Sequence, residues 1–168
     1  MKKTVILYFI FWLSTLLAQY KIGYVDSETI LSKLPEVQDA QKRIEMLIAD
    51  YQKQLSEIER EWKTKYDDYE KRKLIMSPQL RQETEKQLIE LEKKINDFRQ
   101  DKFGANGELF QKQQEIMKPI HNKIFNAIKE YAETEKYDFI FDRSGDLIFL
   151  YVKPDHDLTN KILEKLFR

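Results

Sequence analysis

A narrow apolar seam runs through the middle of this chain and restricts the type of helix that the chain can form. From Val37 to Tyr69, residues spaced alternately by four and three positions are apolar or aromatic at eight of ten places, and most residues between them are Lys, Glu, Gln or Asp. This period is typical of a coiled-coil helix with solvent on most sides. A helix over residues 36–74 would be about 60 Å long, which exceeds the width of a compact domain of this mass.

The seam stops at "KLIMSPQLR", where Ser77 and Pro78 predict a break between two helices. Apolar spacing resumes after Gln79 and continues to about Lys136, with a stripe that widens after Glu108. Two long helices joined by a short break fold back as an antiparallel hairpin. We therefore predict an arm over residues 35–108, with its tip near residues 74–80.

Three residues in the returning helix are candidates for a hinge. Gly104 and Gly107 lie where the apolar stripe changes width, and Pro119 follows within the same predicted helix. Glycine in a helix interior costs about 1 kcal/mol relative to alanine, which favours a special role for these positions. Close backbone packing at the glycines and a static kink at the proline are the alternatives.

The two ends of the chain carry the strand-like segments. Ile22, Tyr24 and Val25 predict a short strand, and Asp26 or Ser27 offers an oxygen to cap the helix that follows. The segment "YDFIFDRSGDLIFLY", residues 137–151, has the alternation of a β-hairpin, with Gly145 suited to a positive φ in the turn. After Pro154, a last short helix is predicted with Asp157 as its cap.

These short elements cannot bury their own apolar residues. The predicted second hairpin strand is apolar on both faces, and an isolated small sheet is marginal in water. Oligomerisation is the simplest way to cover it. We expect a shared body formed by the sheet residues of several chains, namely Ile22, Tyr24, Phe139, Phe141, Leu147, Phe149 and Tyr151.

The first residues indicate export. Lys2 and Lys3 precede an apolar run from Val5 to Leu17, and Ala18 offers a cleavage site before Gln19. The run is short for a membrane span of about twenty residues, so residues 1–18 are predicted to be a cleaved signal peptide, with a retained membrane anchor as the alternative. Without the two lysines, 27 cations face 29 anions, so the exported chain is close to neutral.

Nothing in the sequence favours catalysis, a cofactor or nucleic acid. His121 and His156 have no metal-ligand spacing around them, and the carboxylates alternate with lysines as on a solvated helix face. There is no glycine-rich phosphate loop or nucleophile motif. Lysine plus arginine equals aspartate plus glutamate at 29 each, so no basic field predicts nucleic-acid binding.

Several segments together resemble the Skp (OmpH-like) family of periplasmic chaperones. They are "KIGYVDSETIL", the charged arm that begins with a proline, "ELFQKQQEIMKPIHNKIFNAIKEYAETEKYDFIFDRSG" and "DLTNKILEKL". The resemblance implies an α+β, mostly helical fold with three short strands per chain and a jellyfish-like homotrimer. Its body would comprise residues 19–34 and 109–168, and its arms residues 35–108.

The resemblance also implies a function. Such a trimer encloses unfolded outer-membrane proteins without ATP in the periplasm and prevents their aggregation. Well-known members are strongly basic, whereas this chain is neutral, so no lipopolysaccharide site is predicted here. The alternative is a coiled-coil adaptor or spacer of the cell envelope that binds one folded partner.

Client contact is expected on the arm. Six cations against three acidic residues lie between Lys63 and Arg81, which also suggests weak contact between the tip and an anionic membrane surface. The alternative for the apolar tip residues is that they seal the end of the hairpin. The candidate client-contact residues are Tyr66, Tyr69, Leu74, Ile75 and Met76.

Overall fold

The computed structural model describes residues 20–145 and 149–168. In chain order these residues form β1 (Ile22–Val25), α1 (Ser27–Lys33), α2 (Pro35–Arg72), α3 (Pro78–Phe103), α4 (Glu108–Glu135), β2 (Phe139–Asp142), a 3-10 turn (Pro154–His156) and α5 (Thr159–Leu166). The predicted fold class is confirmed, since a small strand pair accompanies a mostly helical chain with a long helical hairpin. The described residues divide into two compact units, residues 20–31 with 123–145 and 149–168, and residues 32–122. No helix of the described residues has the length and apolar character needed to cross a membrane.

The long hairpin of the second unit is formed by α2 and α3. Pro35 occupies the first turn of α2, where its missing N–H costs nothing. The break at the tip is as predicted: α2 ends at Arg72, Pro78 begins α3, and Ser77 Oγ accepts a hydrogen bond from the amide of Leu80 at 3.2 Å. The guanidinium of Arg81 donates to the carbonyl of Lys73 at 2.6 Å. It thus gives a hydrogen-bond partner to the carbonyl that caps the end of α2.

The two helices run antiparallel. Tyr69 donates to Glu85 near the tip, and Arg99 pairs with Glu59 farther along. Few side chains are fully covered in α2 and α3. Gln41 is exposed, and the remaining seam positions are half-buried, as a thin coiled-coil seam predicts. The buried apolar residues of these two helices are Val37, Ala40, Tyr51, Leu88 and Ile95.

The returning helix is not continuous, which corrects the sequence-based expectation. Helix α3 ends at Phe103 and α4 begins at Glu108, so Gly104 and Gly107 lie in a turn between two helices and not inside one. Neither glycine has a positive φ. Both positions require a residue without a side chain because backbone carbonyl oxygens lie close to them. A Cβ on Gly104 would lie 2.4 Å from the carbonyl oxygen of Gln100, and a Cβ on Gly107 would lie 2.9 Å from that of Asp101.

The end of α4 leads directly into the second strand. Lys136 adopts a positive φ of 56°, and the amide of Tyr137 donates to the carbonyl of Ala132 at 2.9 Å. This is the hydrogen bond of a helix terminated by a left-handed residue. The chain therefore turns out of the helix within two residues and enters β2 at Phe139.

The prediction of a β-hairpin over residues 137–151 is wrong. Strand β2 pairs in parallel with β1, in the register Ile22 with Phe139 and Tyr24 with Phe141. The described residues after the turn, Phe149 to Val152, form no strand, and Gly145 has no positive φ. Leu147 lies outside the described residues, as do residues 1–18. Instead of the three expected strands, the described residues form two strands and one isolated bridge between Tyr24 and Asp157.

The hydrogen bonds of Asp142 support the parallel pairing. Its carboxylate accepts from the Ser27 hydroxyl at 2.5 Å, from the Ser27 amide at 3.2 Å, and from the Ser144 amide at 3.0 Å and hydroxyl at 2.7 Å. The Ser144 hydroxyl also accepts from the amide of Glu28 at 3.3 Å. The polar residues expected in a hairpin turn thus hold the end of β2 to the start of α1.

One face of the two-stranded sheet packs on the chain's own core. Leu158 is fully buried and reaches Gly23 so closely that a Cβ there would lie 2.5 Å from its Cδ1. The amide of Leu158 donates to the carbonyl of Tyr24 at 2.8 Å, and Asp157 accepts from the first amide of α5 at 2.9 Å. At the start of α1, Asp26 is the capping residue, since its carboxylate accepts from the amide of Thr29 at 2.8 Å.

The Asp142 network makes a testable contribution to stability. Burial raises the pKa of this carboxyl, but the hydrogen bonds from Ser27 and Ser144 outweigh it and hold the pKa below its usual range. A depressed pKa stabilises the folded state above the unfolded value of about 3.9, and this contribution is lost as pH falls through the folded pKa. Asp142→Asn should therefore lower the free energy of unfolding by about 2 kcal/mol at pH 7.

Urea unfolding followed by circular dichroism at pH 7 and at about pH 3 measures this effect, because the difference from the wild type should shrink at the lower pH. The control is Asp39→Asn, whose side chain is 69% exposed. An Asp142→Asn loss that matches the control at pH 7 would show that the network is not stabilising.

Candidate functional site

The outer side of the sheet carries a continuous aromatic surface, which we call the aromatic face. Because alternate residues of a strand share a face, the parallel register places Ile22, Tyr24, Phe139 and Phe141 on the same side. Ring contacts extend this set, with centroid distances of 6.0 Å for Tyr20 and Phe139, and 6.2 Å for both Phe139 with Phe141 and Phe141 with Phe149. The aromatic face comprises Tyr20, Ile22, Tyr24, Phe139, Phe141, Phe149 and Tyr151.

Most of the aromatic face is open to solvent in the single chain. Tyr151 is 82% exposed, Phe139 51% and Ile22 43%, and an open groove of about 410 Å³ passes beside Phe149. Tyr24 differs from the others because its own chain already covers it. Of the residues predicted to be shared between chains, the structure therefore brings Ile22, Phe139, Phe141, Phe149 and Tyr151 together at one surface.

The tip of the arm presents apolar side chains outward. Leu74 and Ile75 are 87% and 84% exposed, so they do not seal the hairpin, while Met76 is half-buried. Leu80, at the start of α3, adds a further exposed apolar side chain. The tip is therefore a small apolar surface at the end of an otherwise charged hairpin.

The charges around the tip largely cancel in pairs. Lys63 pairs with Asp67 at 3.4 Å, Arg72 with Asp68 at 3.2 Å and Lys73 with Glu70 at 2.8 Å. Such exposed pairs between neighbouring turns stabilise a helix only slightly. The net positive charge expected from the sequence therefore comes from the other three cations of this segment, Lys65, Lys71 and Arg81.

The two tyrosines predicted to contact clients have different surroundings. Tyr66 is exposed on one side and stacks on Trp62, with 5.0 Å between the centroids and 8° between the ring planes. Tyr69 is half-buried between α2 and α3, and its hydroxyl donates to Glu85, which raises the pKa of Tyr69. Tyr66 therefore remains available to a partner, whereas Tyr69 belongs to the seam.

A cluster at the α3–α4 turn was not found by sequence reasoning, and we call it the elbow cluster. Tyr51 of α2 is buried there, with its ring edge-on to Phe103 at 6.1 Å and beneath the ammonium of Lys102 at 4.9 Å. Lys102 also pairs with Glu108 across the turn. Hydrogen bonds from Lys102 and from Tyr51 hold the pKa of Glu108 below its usual range, and burial raises the pKa of Tyr51.

The elbow cluster joins both ends of the glycine turn to the opposite helix. Tyr51 and Glu108 are far apart in the sequence, so no local pattern indicates their contact. The predicted hinge residues Gly104 and Gly107 lie inside this turn, and Pro119 lies within α4. A movement at the glycines would have to break the contacts of Tyr51.

No metal or catalytic arrangement is found in the described residues. Within residues 20–145 and 149–168, no group of three or more His, Asp or Glu side chains could hold a metal ion. His156 contacts the carbonyl oxygen of Ile22 through Nδ1 at 2.9 Å, which is a structural hydrogen bond at the edge of β1.

Tyr51→Ala tests the importance of the elbow cluster. Removing a buried aromatic ring should lower the free energy of unfolding by about 3 kcal/mol, and Tyr51→Phe, which loses only the hydroxyl, by about 1 kcal/mol. The control is Met46→Ala on the same helix, whose side chain is 65% exposed. Urea unfolding at fixed protein concentration gives the three values, and a Tyr51→Ala loss no larger than that of the control would contradict the account.

Comparisons with known proteins agree with this arrangement. The family model described as "Outer membrane protein (OmpH-like)" matches residues 21–166. The Chaperone protein Skp of Vibrio cholerae serotype O1 is 24% identical over 149 residues, covering 89% of this chain and 85% of that protein.

A crystal structure of an OmpH-like outer membrane chaperone from Caulobacter crescentus CB15 superimposes with a TM-score of 0.72 at 12% identity, covering 89% of this chain and 85% of that one. At this identity the structural match supports the fold alone. The family match extends over nearly all of the described residues and includes both the strand pair and the arm. This chain belongs to the OmpH-like family, which includes the Skp chaperones.

Proposed function

We propose that this protein is an ATP-independent periplasmic holdase that binds unfolded outer-membrane β-barrel proteins, prevents their aggregation and assists their delivery to the outer membrane. The observation that carries the proposal is the family match over residues 21–166. The surfaces of the chain fit this role, because an arm of two solvated helices offers scattered apolar contacts without a catalytic site. Weak contacts at many points suit clients that share no common sequence.

The protein acts as a homotrimer in this proposal. The aromatic face is the surface that would be covered between chains, because exposed apolar area of this kind is favourable to bury and uncommon on soluble monomers. Residues 19–34 and 109–168 form the body of the trimer, and residues 35–108 form its arms. Gly104, Gly107 and Pro119 are the proposed places where an arm changes direction.

Export fits the same proposal. Residues 1–18 would act as a signal peptide that is cleaved near Ala18–Gln19 and leaves the chain free in the periplasm. N-terminal sequencing of the protein recovered from the envelope distinguishes cleavage from a retained anchor. The exposed Leu74 and Ile75 at the tip, with Lys71 beside them, would allow weak contact with an anionic membrane surface.

An envelope adaptor that binds one folded partner is the second candidate, because long charged coiled coils also serve as spacers. Capture of proteins from an envelope extract separates the two functions. Many unfolded outer-membrane proteins in the captured fraction indicate a holdase, whereas one stoichiometric folded protein indicates an adaptor.

The holdase function predicts a direct effect on aggregation. A urea-unfolded β-barrel protein, diluted into detergent-free buffer, should remain soluble when the chain is present at about one trimer per client, and light scattering should stay low without added ATP. Serum albumin at the same mass concentration is the control for nonspecific adsorption. Scattering that is unchanged at an excess of trimer would contradict the function.

The aromatic face predicts an effect on assembly. Phe139→Lys places a charge at the centre of this face and should shift the protein toward monomers in sedimentation velocity, because burying an unpaired ammonium is costly. The matched control is Ile89→Lys on α3, where the wild-type side chain is 65% exposed. If Phe139→Lys sediments as the control does, the aromatic face is not the assembly surface.

A further inference from the structure

A groove between α2 and α3 combines features of a built binding site. Its volume is about 360 Å³, and Trp62 from α2 and Ile95 from α3 contribute apolar lining. Asn96 and the charged side chains of Glu59 and Arg99 contribute polar lining. The groove thus lies in the middle of the arm, away from both the tip and the elbow cluster.

Trp62 leaves one hydrogen-bond donor without a partner. Its Nε1 atom is buried and has no acceptor, and it is the one buried side-chain polar atom without a partner among residues 20–145 and 149–168. Buried donors nearly always have partners, because an unpaired N–H loses its hydrogen bond to water without replacement. A ligand that supplies an acceptor here would recover that loss, which gives the liganded arm an advantage over the free one.

Tyr66 extends the aromatic surface beside this donor. It lies one helical turn after Trp62, stacks on the indole and is 39% exposed. Because Nε1 is covered in the free arm, a ligand reaches it only when a neighbouring side chain moves.

The charges at the rim indicate what kind of ligand fits. Four charged side chains line the groove, the acidic Glu59 and Glu92 and the basic Lys63 and Arg99, so the rim has no net charge. An uncharged ligand therefore complements the rim, an aromatic or aliphatic side chain complements the lining, and a hydrogen-bond acceptor complements Nε1. An extended stretch of unfolded polypeptide offers all three, since its backbone carbonyls are unpaired.

We propose that this groove binds an uncharged, aromatic-bearing stretch of unfolded polypeptide, with a backbone carbonyl accepting from Trp62 Nε1 and the client's ring packed against the Trp62–Tyr66 pair. The proposal rests on the holdase function and adds to it one preferred contact among the weak ones. It implies that segments with alternating aromatic residues, as in a β-strand, bind more tightly than charged segments of equal length.

The test uses the whole exported protein and a labelled, end-blocked peptide of alternating tyrosine and threonine, with binding measured by fluorescence anisotropy. Trp62→Phe, which removes the donor and keeps an aromatic ring, should weaken binding about fivefold to tenfold, as the loss of one buried hydrogen bond predicts. Tyr66→Ala should weaken it by a similar factor. Ile89→Ala, which removes an exposed apolar side chain elsewhere on the arm, should change it less than about twofold.

The indole N–H resonance of Trp62, assigned by its absence in Trp62→Phe, should shift downfield when the peptide is added. Equal binding by Trp62→Phe and the wild type, or equal losses in Tyr66→Ala and Ile89→Ala, would overturn the site. The aggregation assay is repeated on the same samples. A wild-type protein that suppresses aggregation while Trp62→Phe binds the peptide normally contradicts this groove alone, whereas a wild-type protein that fails to suppress aggregation contradicts the holdase function.

Discussion

The parallel pairing of β1 with β2 is the constraint on which the rest of the structure depends. It joins segments more than a hundred residues apart, so everything between them has to leave the sheet and return to it. The intervening residues do this as long helices that reverse at Ser77–Pro78. Two strands of four residues are too few for a stable sheet, and the chain compensates on one face only, where Leu158 packs on Gly23.

In the proposed function, the other face gives assembly a surface separate from the one that contacts clients. The aromatic face holds rings that contact one another and still lie in solvent, which favours burial against further copies of the chain. The arm has the opposite character, with a thin seam and neighbouring charges that pair along each helix. A chaperone that stayed soluble while it held unfolded proteins would benefit from this division, because the strongly apolar surface would be covered before any client arrived.

The sequence predicted the parts of this structure that depend on local patterns. Residue spacing predicts the seam from Val37 to Tyr69 and the first strand. The chemistry of two residues predicts the break at Ser77–Pro78. The β-hairpin was predicted wrongly for the same reason, since "YDFIFDRSGDLIFLY" has local hairpin alternation. Strand β2 instead pairs with β1, and Asp142 bonds to Ser27, a contact that no local pattern contains.

The candidate sites also differ in how far local sequence patterns predict them. Ile22, Tyr24, Phe139 and Phe141 lie on one side of the sheet because strand alternation and the parallel register place them there, whereas Phe149 joins them through its ring contact with Phe141. The elbow cluster and the unpaired donor of Trp62 depend on which residues of α2 meet α3 and α4, and the helical period does not fix that register. Gly104 and Gly107 stood out in the sequence, and in the structure carbonyl oxygens from the end of α3 leave no room for a Cβ at either position.

The central claim is that the aromatic face exists to be shared between copies of the chain. The most direct test is the mass of the exported wild-type protein, measured by native mass spectrometry and by sedimentation equilibrium across a wide range of concentrations. The account predicts a species of three times the chain mass that persists on dilution. A stable, folded monomer with the aromatic face open to solvent would contradict it.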